Sequence, residues 1–293
     1  MNPSLLLLEF MTGLASACSL FLLAAGLSLI FGALGIVNFA HGSFYMLGAY
    51  LLFWMTRGDA GSFWHYLLVA VAASVVIGAA VERVFLRPVL RRPEHFQILL
   101  TYALLLVIAD VCRLAFGSDY KSISMPPGFD GPVFLFGTPF PAYYAGLVGL
   151  AAVAAALLWL FLHRTRYGLL VRAVTQDREM LEALGVNVPG LFTIVFALGI
   201  GLAGFGGAVS LPLQSMSTDV AVDAVISAFI VVVVGGLGSI WGALAGAFLI
   251  GEVQAFGALL LPEFSIVFVY VLMALVLLFR PWGLLGRAPA VRT

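Results

Sequence analysis

A chain of 293 residues, 63% of them hydrophobic with 32 glycines besides and only 10% charged, cannot cover the surface of a soluble globule, where charged residues run near about 25%. Lipid needs no such cover. The net charge of zero gives no basic excess for nucleic acid, and at about 20 residues per crossing the length holds roughly eight or nine spans with no sizeable soluble domain.

The first twelve residues carry no Lys or Arg, so the basic region of a cleavable signal is missing and the first apolar run is expected to be a retained span. Between Glu9 and Arg57 no side chain is formally charged, which is room for two spans, at 13–31 and 36–55, with GALGIVNFAHG around the break. A third span is expected over 66–86, followed by the basic stretch RPVLRRPE, and a fourth over 97–116. The five prolines and four glycines of 117–142 predict a large irregular loop, long enough for a short surface helix. A fifth span runs 143–162, a charged connector 163–190, and a sixth span 191–211. The apolar run 222–234 is too short for a straight crossing and reads as part of a broken helix or as a span that borrows from its flanks. After GGLGS, spans at 241–260 and 264–279 precede a basic tail. The fold class expected is an all-α integral membrane protein, a polytopic bundle of eight or nine helices with broken or re-entrant segments, 1–293 forming a single transmembrane domain.

Arginine placement orients the bundle. Arg83, Arg87, Arg91 and Arg92, then Arg164, Arg166, Arg172 and Arg178, then Arg280, Arg287 and Arg292 all fall on one side by this order of spans. That side should be the cytoplasm. Only Arg57, Arg113 and Lys121 face the other way. Nine spans put the amino terminus outside and eight put it inside.

Polar residues are costly in apolar runs. Asn38 and His41 interrupt the first one, and the readings are a hydrogen-bonded structural turn, the lining of a translocation pathway, or two unrelated helices that simply end there. Gly42 and Gly48 nearby allow close backbone approach. Glu252, inside 241–260, is a functional-site candidate by its position or a carboxyl that anchors helix packing; Gln254, two positions on, does not share its helix face. Asp110 and Arg113 have the spacing of a local pair, and Asp219 and Asp223 are placed near the outer surface. GIGLAGFGG and GGLGSIWGALAG predict tight helix packing, with Gly242 and Gly246 forming GxxxG. Neither stretch is a nucleotide loop, since the GK[ST] ending is missing. Cys18 and Cys112 read as buried small hydrophobes, and with the scattered histidines they give no metal-ligand spacing. Within the connector, RAVTQDREMLEALG predicts one short amphipathic helix stopped by Gly185, lying on the bilayer or docking a cytoplasmic partner.

GLSLIFGALGIVNFAHGSFYMLGAY closely resembles the signature segment of bacterial high-affinity branched-chain amino acid permeases, the membrane subunits of ABC importers, in their LivH-type group. RAVTQDREMLEALGVNV resembles that family's cytoplasmic coupling segment, and VVVVGGLGSIWGALAGAFLIGEVQ with LLFRPWGLLG resembles its carboxy-terminal part. The resemblance implies a chain that is no enzyme and binds no cofactor. It pairs with a LivM-type permease, takes energy from ATP hydrolysed by two cytoplasmic ATPases, and receives substrate from a periplasmic binding protein at the inner membrane. Leucine, isoleucine and valine are the implied cargo, with urea, short amides or other amino acids as the alternative. Asn38, His41 and Gly42 match the NFAHG element near the pathway. Arg172, Asp177 and Gly185, with Arg178 and Glu179 between them, fall in the coupling segment, Arg178 standing where many relatives have proline. Gly235, Gly236 and Gly238 match the glycine-rich element, and Arg280, Pro281 and Gly283 the terminal RPxG. A gradient-coupled transporter using Glu252 is the rival mechanism.

Overall fold

The computed structural model describes residues 3–57, 62–90, 92–135 and 137–286; Arg91, Arg287 and Arg292 lie outside the described residues. The chain runs α1 (Pro3–Leu34), α2 (His41–Thr56), α3 (Phe63–Val81), α4 (Glu94–Phe116), β1 (Pro132–Leu135), β2 (Thr138–Pro141), α5 (Ala142–Arg164), α6 (Arg166–Val174), α7 (Arg178–Ala183), α8 (Val188–Ser210), α9 (Val220–Gly235), α10 (Ile240–Leu260) and α11 (Ser265–Phe279). Among the described residues, seven helices are long and apolar enough to cross a bilayer: α1, α3 with its extension to Val89, α4, α5, α8, α10, and α11 with the turn before it. The protein is a multi-pass, all-α membrane bundle. The helices α2 and α9 have 16 residues each, about 24 Å at 1.5 Å per residue, short of a hydrocarbon core of about 30 Å.

The centre of the bundle is α1 and α8. Every residue from Phe21 to Ile30 on α1 is buried, and most of α8 is; a helix that is apolar all round belongs inside. The helices α2, α3 and α1 pack on α8, while α10, α9 and α5 pack on α1. Only Val269 of α11 is buried. Large apolar side chains stand exposed along α3, α4, α5 and α11, as a lipid-facing surface allows.

Close approach depends on small residues. A methyl on Gly48 would run into the backbone of Gly204, and one on Gly207 into the carbonyl of Tyr45, so α2 lies almost backbone to backbone on α8. Gly235 and Gly242 meet in the same way between α9 and α10, with Gly246 against Val231 and Gly235. Gly236 and Gly238 lie in the turn between those helices, Gly236 against Gly286 and Gly238 against Gly32 of α1. The terminal RPWGLLG segment folds back here: the amides of Leu284 and Leu285 donate to the carbonyls of Val234 and Gly235 at 2.8 and 2.9 Å, filling two acceptors left open at the end of α9.

Caps mark the basic end. Thr165, Asp177, Asn187 and Ser239 accept backbone amides at the starts of α6, α7, α8 and α10, at 2.9 to 3.0 Å. Two expectations change. The connector folds as two helices rather than one, because Asp177 is an extended N-cap residue (φ −152°) that accepts the amide of Met180 and breaks the chain there. Gly185 follows α7 with φ +80°, a left-handed conformation that glycine adopts without strain. The 117–142 loop carries an antiparallel hairpin in place of a surface helix, pairing Val133 with Phe140 and Leu135 with Thr138. Pro132, Pro139 and Pro141 have no amide to give a helix.

Gly48→Leu should disrupt the α2–α8 contact and cost about 3 kcal/mol or more, the upper range for overpacking. Gly149→Leu, on an exposed part of α5 with nothing near its Cβ position, should be close to neutral. Thermal unfolding of the purified protein in detergent would separate them; equal melting temperatures would refute the tight packing.

Candidate transport pathway

A cavity of about 450 Å³ lies between α1, α2, α5, α8, α9 and α10, within the about 300–1,000 Å³ of small-molecule sites. It is reached from the end of the bundle where α8 finishes and α9 begins, opposite the arginine-rich end. Its wall mixes hydroxyls and amides with aliphatic side chains such as Leu20, Leu23 and Leu213. Ser210 donates to the carbonyl of Gly206 at 2.7 Å. With its one proton used, its short hydrogen bond with Ser19 must be one it accepts. Ser19 in turn accepts from Tyr45 at 3.2 Å. The chain Tyr45–Ser19–Ser210 thus ties α2, α1 and α8 together at the cavity wall.

The start of α2 lies behind Leu23 of the cavity wall. Residues 35–40 turn back from the end of α1, and α2 begins at His41, beside the middle of α1. The Nε2–H of His41 donates to the carbonyl of Leu23 at 2.8 Å, which fixes the tautomer and leaves Nδ1 a bare acceptor. His41 and Asn38 are fully buried, and neither His41 Nδ1 nor the Asn38 amide atoms have a partner among the described residues. Tyr45, one turn above His41, lines the cavity; Asn38, His41 and Gly42 do not. Gly42 packs on Ala221 and Val225 of α9, so the two shortened helices touch at their starts.

At the basic end a polar clasp joins α3 to α8. Beyond α3 the backbone widens into a π turn over Glu82–Leu86, which swings Glu82 toward Arg87. Glu82 is fully buried, yet it accepts Arg87 Nε and Nη2 at 3.3 and 3.2 Å and the hydroxyl of Thr193 at 2.6 Å. Arg87 also donates to the Pro189 carbonyl at 3.1 Å and makes a short contact with Thr193. The connector abuts this clasp: Leu181 of α7 is buried, Arg178 pairs with Glu182 at 3.0 Å, and its guanidinium sits 5.0 Å from the ring of Phe192.

A helical bundle with this cavity and connector can be compared with known proteins as a whole. The family described as "Branched-chain amino acid transport system / permease component" matches residues 10–277. The chain belongs to that family. It is 31% identical to the high-affinity branched-chain amino acid transport system permease protein BraD of Pseudomonas aeruginosa and 27% identical to LivH of Escherichia coli K12, over 95% of this chain and of each relative. It is also 27% identical to LivM of Escherichia coli K12, over 90% of this chain and 67% of that protein. No solved structure matches it. A permease component is a transport subunit rather than an enzyme.

In this permease the sequence candidates fall into separate groups. Asn38, His41 and Gly42 lie at or just before the start of α2, outside the cavity lining. Arg172, Asp177, Arg178, Glu179 and Gly185 lie on or beside α6 and α7 at the basic end, and Arg172 borders a second cavity, of about 590 Å³, with His163 and the α9–α10 turn. Glu252 does not line the central cavity, whereas Gln254 does. The Glu252 carboxylate is packed against Gly13 of α1, without a partner among the described residues. Sequence reasoning missed Asp223 as a cavity residue, and missed the Glu82–Arg87–Thr193 clasp.

The clasp predicts an asymmetry. Arg87→Met strands a buried carboxylate and should destabilise the permease by about 3–5 kcal/mol. Glu82→Gln keeps a hydrogen-bonding group and leaves an arginine whose side chain is 39% exposed, so it should cost only about 1–2 kcal/mol. The double variant should recover part of the Arg87→Met loss. Detergent melting curves for the three would test this; equal single losses would count against it.

Proposed function

We propose that this chain is the membrane-spanning permease subunit of an ATP-driven importer for branched-chain amino acids in the inner membrane. One observation carries the reading: similarity along 95% of the chain to relatives named as high-affinity branched-chain amino acid permease proteins. The weaker similarity to a LivM protein supports a second, related permease subunit as its partner. Two cytoplasmic ATPases and a periplasmic binding protein complete the importer. In this reading ATP is hydrolysed by the partners, and membrane lipids surround the exposed apolar faces.

The bundle then crosses the membrane nine times, with the amino terminus outside. The irregular residues 35–40 and α2 together make one crossing; α9 makes another with the irregular segment before it. The arginine-rich end faces the cytoplasm. Residues 1–293 act as one transmembrane domain, and 163–190, with Arg172, Asp177, Arg178, Glu179 and Gly185, is the coupling segment on which an ATPase docks. Substrate enters the cavity from the outer end and leaves after the segment at Asn38, His41 and Gly42 moves. Alternation between outward-open and inward-open states is the mechanism, since the chain contributes binding and motion rather than bond chemistry.

The test is uptake of labelled leucine into vesicles holding this chain, its partner permease and both ATPases, with the binding protein outside, ATP inside and ionophores present. ATP-dependent uptake that isoleucine and valine block, and urea does not, is expected. Absence of leucine uptake with demonstrably active ATPases would move the cargo to urea or another amide, and uptake that follows an ion gradient instead would refute the ATP-driven class.

A further inference from the structure

The central cavity carries one formal charge. Asp223 lines it, one turn from Ser227, and no Lys, Arg or His does. Asp223 has no ion-pair partner among the described residues. The nearby cation Arg113 is engaged by Asp110 and Asp219, each at 3.6 Å. Part of the wall adds acceptors. In the chain Tyr45–Ser19–Ser210–Gly206 every hydroxyl proton is donated into the protein, so these oxygens offer only lone pairs to the cavity. Donors remain on the amides of Gln254 and Gln214, the latter also bonded to Tyr45, and on the hydroxyls of Ser16, Tyr144 and Ser227.

A wall whose single formal charge is an unpaired carboxylate suits a ligand that presents a cationic donor. We infer that Asp223, backed by the Tyr45–Ser19–Ser210 oxygens, takes the ammonium group of a zwitterionic amino acid, while the amides of Gln214 and Gln254 take its carboxylate. The aliphatic side chain lies against Leu20, Leu23 and Leu213. This assigns Asp223 as the residue that separates amino acids from neutral amides such as urea, and it rests on the amino acid reading of the cargo. A first-turn acid is also favourable with the dipole of α9, but that role would show in stability rather than in the charge preference of the cavity.

Two measurements on the complete importer decide it. In proteoliposomes, Asp223→Asn should lower leucine uptake at subsaturating concentration by about tenfold or more, as loss of a charge-assisted contact does, while Asp223→Glu keeps most of it. Uptake by an Asp223→Asn importer, confirmed to be assembled, within about twofold of the parent would overturn the inference. The second arm needs no transport. With Cys18 and Cys112 replaced, Ser227→Cys is labelled with cationic and anionic methanethiosulfonates from the outside. The cationic reagent should react faster by about tenfold, and Asp223→Asn should bring the two rates together. A ratio unchanged by Asp223→Asn overturns the inference whatever the cargo. If the parent importer moves no leucine although the labelling ratio depends on Asp223, the acidic site stands for another ammonium-bearing cargo and the branched-chain reading fails.

Discussion

How closely α8 lets its neighbours approach governs the rest of this bundle. Lipid gives helices no hydrophobic reason to associate, so van der Waals contact and interhelical hydrogen bonds must hold them. Gly199, Gly204 and Gly207 bring α1 and α2 onto α8 at backbone distance, with Ser74 of α3 against Gly204. Ser19, Tyr45 and Ser210 can reach one another only because of that approach. Wider spacing would break the bonds of Ser19 to Tyr45 and Ser210, leaving Ser210 only its bond to Gly206 on its own helix.

The same constraint explains where the chain is allowed to break. A helix that begins inside the bilayer exposes amides that lipid cannot satisfy. Both shortened helices therefore begin under protein cover: His41 and Gly42 are fully enclosed, and Ala221 of α9 is buried against Gly42. Two interrupted helices meeting at their starts leave space above them, and that space is the cavity. Part of its polarity stands close to the breaks: Tyr45 is one turn into α2 and Asp223 is on the first turn of α9.

Much of this was legible in the sequence. Each expected span has a helix within a few residues, apart from the longer amino-terminal reach of α1, because runs of apolar residues between charged or Pro- and Gly-rich stretches leave few alternatives. Asn38 and His41 marked the break in the first apolar run because such groups are costly in lipid. The connector was visible as a helix former but not as two helices, since whether Asp177 caps a helix or sits within one depends on backbone geometry. Glu252 stood out by charge alone, yet the cavity takes the opposite face of α10, that of Gln254. Asp223 read as a surface acid because it lies near a helix start; it is exposed, and only the arrangement of α9 beside α1 shows that it borders the cavity. The clasp was invisible for a plainer reason. Glu82 and Arg87 are five apart, a spacing that a regular helix does not bring together and a π turn does, and Thr193 is 111 residues away in the chain.

That clasp also decides what a displacement of the connector can reach. Between α7 and α8 there is no slack: Val186 donates to the Leu181 carbonyl at 3.2 Å, and the next residue, Asn187, caps α8. Any push on α7 is therefore a push on the start of α8. Arg87 and Glu82, paired with each other, hold that start to the end of α3 through three hydrogen bonds to Pro189 and Thr193, so α3 and α8 move together rather than sliding. At the far end of α8, the Val209 carbonyl accepts from Tyr143 at 2.8 Å, and Ser210 is joined through Ser19 to Tyr45 at the cavity wall. The central helix thus connects the connector at the arginine-rich end to the hydroxyl chain at the cavity wall. A rigid shift or tilt of α8 changes the cavity without any helix unfolding, which is what a subunit driven by partners outside the membrane requires.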